Sequence, residues 1–109
     1  MKRPTNNTAP KGLSSAAGTW WKRLHSEFDL EDAGAAFLLE TALRAFDRMS
    51  EAAALVDKHG VCIADRWGQL KSNPAVTAER DARAAMLAAF KQLNLDVLPP
   101  QRPGRPAGR

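Results

Sequence analysis

The chain has one cysteine, no tyrosine and only 6% aromatic residues among its 109. A single thiol cannot close an intrachain disulfide, so Cys62 fits a reducing compartment. Few aromatics beside abundant alanine favour helices over a sandwich or barrel. No stretch approaches the roughly 20 apolar residues of a membrane span, and the opening MKRPTNNTAPKG lacks the apolar run of a signal peptide. A cytoplasmic protein that does not enter membranes is therefore expected. There is no Gly-x-x-x-x-Gly-Lys-Ser/Thr loop to cradle a nucleotide, which argues against ATP hydrolysis by this chain. His25, His59 and Cys62 lack the spacing of a metal site. His59 is better read as a partly cationic ring at a helix C-terminus, and Asp29, Glu31 and Asp32 as acids at a helix start. No cofactor, metal or catalytic residue is expected.

What the chain does have is length for one domain, 44% apolar content for a modest core, and a segregated charge. Residues 1–25 carry five Lys or Arg and no acid, residues 26–58 carry eight acids against three bases, and residues 99–109 add three arginines. Basic ends around an acidic middle suit a polyanionic partner at the termini, or simply a well-solvated protein.

The apolar periodicity predicts a mainly α subunit of three helices, one of them long, with a short β-hairpin between the second and third. Residues 1–12 read as a flexible basic arm, 13–98 as the helical domain, and 99–109 as a basic, proline-rich tail. Ser14 or Ser15 caps the first helix, and Ala17, Trp21, Leu24 and Phe28 form one stripe. Asp29 is the predicted cap of the second helix, with Glu31 and Asp32 in its first turn and Gly60 as its left-handed stop. Leu39, Phe46 and Ala53 repeat every seven residues, as do Ala42, Met49 and Val56, giving an a/d seam about three heptads long. Leu38, Leu43 and Leu55 widen it. A thin alanine core with this surplus apolar surface points to self-association, and Leu39, Leu43, Phe46, Met49, Ala53 and Val56 are the candidate oligomer contacts; an ordinary intrachain bundle would satisfy the same pattern.

The hairpin is expected to pair Val61 to Ile63 with Gln69 to Lys71 around Asp65-Arg66-Trp67-Gly68. Asn73-Pro74 starts the third helix. Its predicted apolar side holds Val76, Arg80, Arg83, Leu87, Phe90 and Leu93 or Leu95, with Glu79 and Arg83 as an i, i+4 pair. Leu95, Val97 and Leu98 are expected to fold back on it. Candidate phosphate-binding residues are Lys2, Arg3 and Lys11 on the arm, Lys22 and Arg23 on the first helix, Arg66 and Lys71 in the hairpin, and Arg102, Arg105 and Arg109 on the tail. Trp67 beside Arg66 could touch DNA, although composition favours a Trp folded onto its own helices.

The segment HGVCIADRWGQLKSNPAVTAERDAR, with LSSAAGTWWKRL before it and LNLDVLPPQR after it, resembles the phage terminase small subunit family. The resemblance runs from Leu13 to Arg102. It comprises the Leu13-Ser14 helix start, Trp21 a turn or two later, a long acidic, alanine-rich helix ending at Gly60, a polar hairpin, Lys71 through Pro74, and a turn at Leu95 through Pro99. Asn73 stands where His commonly precedes the proline, and the final turn is longer than usual. The resemblance implies a non-catalytic, ring-forming subunit of about 8–12 chains in the host cytoplasm. Such a subunit binds double-stranded viral DNA at the packaging start site and regulates a large terminase subunit that carries the ATPase and nuclease. On that pattern Arg102, Arg105 and Arg109 would engage the large subunit or DNA. The competing reading is a helical phage structural or adaptor protein that oligomerises without touching DNA. A helix-turn-helix repressor is disfavoured, because about fourteen residues separate the helices where such a motif uses three or four.

Overall fold

Ser14 begins the folded domain. In the computed structural model, which describes residues 8–95, its hydroxyl oxygen accepts a hydrogen bond from the Ala17 amide at 3.0 Å. Helix α1 follows as Ser15–Glu27. The predicted stripe forms: Ala17 and Trp21 are buried, and Leu24 and Phe28 pack against them.

Helix α2 is Ala33–His59, 27 residues, or about 40 Å at 1.5 Å per residue. Its cap is Asp32, whose carboxylate accepts from the Ala35 amide at 2.7 Å, and no acid lies in the first turn. The expected cap at Asp29 is displaced by Leu30, which is buried in the core beside Trp21. The linker stays non-helical past that position. At the other end Gly60 has the positive φ expected of a glycine stop. Its ψ of 169° is extended and not left-handed helical, and its amide closes on Val56 O at 2.7 Å.

Strands β1, Cys62–Ala64, and β2, Leu70–Ser72, pair antiparallel with Ile63 opposite Lys71. Both begin one residue later than predicted. The turn explains the shift: Asp65 Oδ1 accepts from the amides of Trp67 at 2.8 Å and Gln69 at 3.0 Å, and Gly68 supplies a φ of 81°. The loop is thereby closed between Asp65 and Gln69.

Asn73 joins three pieces of backbone. Its Oδ1 accepts from Ala75 N at 2.9 Å, its Nδ2 donates to Gly60 O at 2.8 Å, and its own amide donates to Val61 O at 2.8 Å. One buried side chain thus caps α3 (Pro74–Leu93) and fastens it to the end of α2. Asn73→Ala should cost about 2 kcal/mol, combining a lost cap with an unsatisfied carbonyl. Asn73→Asp keeps the capping acceptor and should cost less. Urea midpoints of the two variants and wild type test this: equal midpoints for the two variants would show that the cap contributes nothing, and an Asn73→Asp midpoint equal to wild type that the bond to Gly60 contributes nothing.

The buried side of α3 matches the predicted one in part: Val76, Phe90, Leu93 and Leu95 are half-buried as expected, but alanines replace the middle of the stripe. Ala75, Ala82 and Ala89 recur every seven residues with Glu79, Met86 and Leu93 between them, all buried or half-buried, while Arg80, Arg83 and Leu87 face outward. Alanine at each seven-residue step lets α3 lie close along α2, the most extensive helix pairing in the molecule. The Glu79–Arg83 pair forms as expected, at 2.7 Å.

The large core side chains sit at one end, where Ala17, Trp21, Leu30, Leu39 and Leu43 cluster and Phe90, Leu93 and Leu95 close over them. A buried carboxylate joins α1 to α2. Asp47 accepts from the Ser14 amide at 2.8 Å and from its hydroxyl at 2.5 Å. One turn earlier, Arg44 donates to Lys11 O at 3.0 Å while paired with Glu40 at 2.6 Å, which ties the end of the arm to α2.

Candidate nucleic-acid interface and assembly surfaces

Two arginines lie over tryptophan rings at the surface. At the hairpin tip the Arg66 guanidinium stands 4.9 Å from the centre of the Trp67 ring, and on α1 Arg23 stands 5.2 Å from that of Trp20. Trp67 is 75% exposed and so does not fold onto its own helices as composition favoured. The physical reason is the Asp65 turn, which commits its backbone locally and holds residues 66 and 67 at the outer end of three-residue strands.

Ion pairing separates these two arginines. Of the six arginines among the described residues, Arg23, Arg44, Arg48, Arg80 and Arg83 each pair with a carboxylate. Arg66 has no carboxylate within salt-bridge distance among those residues. The Arg23–Glu27 pair is long, 3.8 Å, between side chains that are both more than half exposed. Such a pair holds its arginine weakly and would exchange readily for a phosphate. Lys22, Lys11 and Lys71 are also exposed. Lys22 and Arg23 adjoin on α1, and Arg66 and Lys71 share the hairpin. The two groups are not brought together: α1 packs on the half of α2 that carries Leu39 and Leu43, whereas the hairpin follows the opposite end, roughly 25 Å along the helix. Lys2, Arg3, Arg102, Arg105 and Arg109, with Val97 and Leu98, lie outside the described residues.

The candidate oligomer contacts divide. Leu39 and Leu43, 0% and 2% exposed, are taken up by the subunit's own core and present no surface to a neighbour. Phe46, Met49, Ala53 and Val56 are half-buried. Large apolar surface appears instead at Phe37, Leu55, Val61, Leu70 and Leu87. A groove of about 830 Å³ also opens between α1 and α3, walled by Trp20, Leu24, Phe28, Phe46, Met86 and Phe90. Its sequence signal was Trp20, an apolar residue that falls off the main stripe of α1.

Among the described residues no three His, Cys, Asp or Glu side chains converge as metal ligands, and no helix is long and apolar enough to cross a membrane. The arrangement is that of a small helical protein whose exposed features are cationic, aromatic and apolar surfaces.

Residues 17–102 match the family model for the phage terminase small subunit, and the chain belongs to that family. Comparisons with curated proteins and with solved structures gave no match. Family membership assigns the protein to phage DNA packaging.

Proposed function

We propose that the chain is the DNA-recognition subunit of the packaging motor: it binds duplex viral DNA at the start site, assembles into a ring, and regulates the large subunit that carries the ATPase and nuclease. The family match over residues 17–102 carries this reading. The free or weakly held cations support its DNA-binding part. Lys22, Arg23 and Lys71, with Lys2, Arg3 and Lys11 of the arm, neutralise phosphates, and Arg66 at the hairpin tip is a further candidate. Phe46, Met49, Ala53 and Val56 remain candidate subunit contacts, and Arg102, Arg105 and Arg109 are candidates for the large subunit or DNA. Catalysis in this scheme belongs to the partner.

Retention on duplex DNA across a salt series tests the reading. The wild-type protein should bind with a steep dependence on salt, and Lys22→Ala/Arg23→Ala/Lys71→Ala should flatten the log–log slope by about 2 to 3, close to 0.9 for each phosphate left without its cation. A wild-type protein that passes through DNA unretained at low salt would favour a helical adaptor that assembles without nucleic acid.

A further inference from the structure

We propose that the hairpin tip of one subunit seats in the groove between α1 and α3 of the next, with Trp67 and Leu70 entering the apolar cleft and Arg66 meeting Glu27 on its rim. This rests on the assembly reading above and names the joint that would build it.

Each half of the joint lacks what the other offers. Trp67 and Leu70 are about three-quarters exposed, on an element of only two short strands. Such a hairpin is marginal in water unless something packs on it. The groove presents apolar walls and an opening of about 830 Å³. That lies within the roughly 300–1,000 Å³ of pockets that enclose drug-sized ligands, so an indole and a leucine side chain fit. The lining carries one carboxylate, Glu27, and one cation, Lys91, and it is the carboxylate that suits the tip. Arg66 has no carboxylate partner among the described residues, and Glu27, on the wall of the groove, is held only by its long pairing with Arg23.

A subunit cannot fill its own groove with its own hairpin. The groove reaches α2 at Leu43 and Phe46, and continuous helix carries the chain about 20 Å further before the hairpin begins. Strands of three residues span only about 10 Å. Two different patches on separate regions of one molecule make a heterologous contact, which propagates head to tail and closes into a ring when the rotation allows. In this joint Arg66 leaves the DNA-binding set. Lys71 remains in it, because adjacent strand residues point to opposite faces and Lys71 points away from Leu70.

The test uses light scattering on the full chain. Trp67→Ala removes the tip and Leu87→Glu places a charge on the groove wall; both positions are exposed, and retained helicity by circular dichroism confirms folding. Each variant alone should fall from the wild-type assembly to the 11.9 kDa chain. An equimolar mixture should give a species of about twice that mass, because one intact tip meets one intact groove and the joint cannot propagate. If both variants keep the wild-type mass, the joint is wrong while the assembly reading stands. If Trp67→Ala keeps its mass but loses DNA retention, the tip belongs to DNA and the proposal is overturned. A wild-type monomer overturns the proposal and the assembly reading together.

Discussion

Trp21→Ala should lower the free energy of unfolding by about 3–5 kcal/mol, the range for deleting a large buried aromatic. For a domain of this size the whole stability is roughly 5–15 kcal/mol, so the variant would be partly or wholly unfolded at 25 °C. Trp21 is the largest side chain in the core and touches elements from both sides. Its stripe on α1 meets Leu39 and Leu43 of α2, Leu30 closes from the linker, and the His25 ring lies 4.6 Å away. Little else could refill the space, since Ala17 is too small to do so and Leu39 and Leu43 are already fully packed. Trp21→Phe should behave differently. The indole N–H is buried without a hydrogen-bond partner among the described residues, and removing it relieves a cost of about 1–3 kcal/mol that offsets part of the lost volume. A net change within about 1.5 kcal/mol follows. Urea denaturation followed by circular dichroism measures both; a Trp21→Ala variant within about 1 kcal/mol of wild type would mean that the packing of α1 on α2 is not the centre of the fold.

Asp47→Ala should cost about 2–3 kcal/mol, through a route that burial of apolar surface does not describe. The carboxylate accepts two hydrogen bonds from Ser14, one from the amide and one from the hydroxyl, and that same hydroxyl oxygen caps α1 by accepting from Ala17. Removing the acceptor leaves the Ser14 amide without its partner and frees the hydroxyl to turn away from its capping position. The loss should therefore be local as well as global. Amide exchange at Ala17 and Gly18, the first bonded positions of α1, should accelerate more than exchange in the middle of α2. Asp47→Asn retains one acceptor and should fall between the variant and wild type. Uniform acceleration across all three helices would argue that Asp47 acts only through overall stability.

Much of this fold could be read from local chemistry. Ser14, Gly60 and Asn73-Pro74 each mark the boundary they were expected to mark, and the Asp65–Gly68 turn forms with its flanking strands shifted by one residue. The start of α2 was misplaced because Asp29 and Asp32 are equally good caps. The choice between them is made by Leu30, which must reach a core that local sequence does not display. Asp47 was invisible for a related reason: its partner lies 33 residues away, and an acid in an acidic helix carries no signal of burial. The middle of the α3 face was misread because Leu87 weighs more than alanine on any hydropathy scale, whereas close approach of helices selects the smaller side chain. Leu39 and Leu43 show the limit of periodicity for function. A seven-residue repeat specifies a helix partner without stating whether that partner is in the same chain, and here α1 supplies it.

The site was less legible than the fold. Basic residues were found by counting, but which of them are free depends on carboxylates that only folding brings near. Arg83 and Arg44 are engaged, while Arg66 is not. Trp67 was assigned inward by composition and lies outward, because a side chain in a tight turn follows the backbone of that turn and not its own hydrophobicity.

The unequal core gives the molecule a stiff end and a soft one. Where α1 lies across α2, Trp21, Leu39 and Leu43 lock three elements together; toward the hairpin only two helices remain, and their buried side chains are alanines such as Ala52 and Ala75. Less apolar surface per turn means a smaller free energy for local opening, so amides near Val56 and Ala75 should exchange before those near Leu39 without the domain unfolding. The hairpin is thus carried at the thinner-cored end, and what holds it there is less apolar burial than the Asn73 hydrogen bonds to Gly60 O and Val61 O.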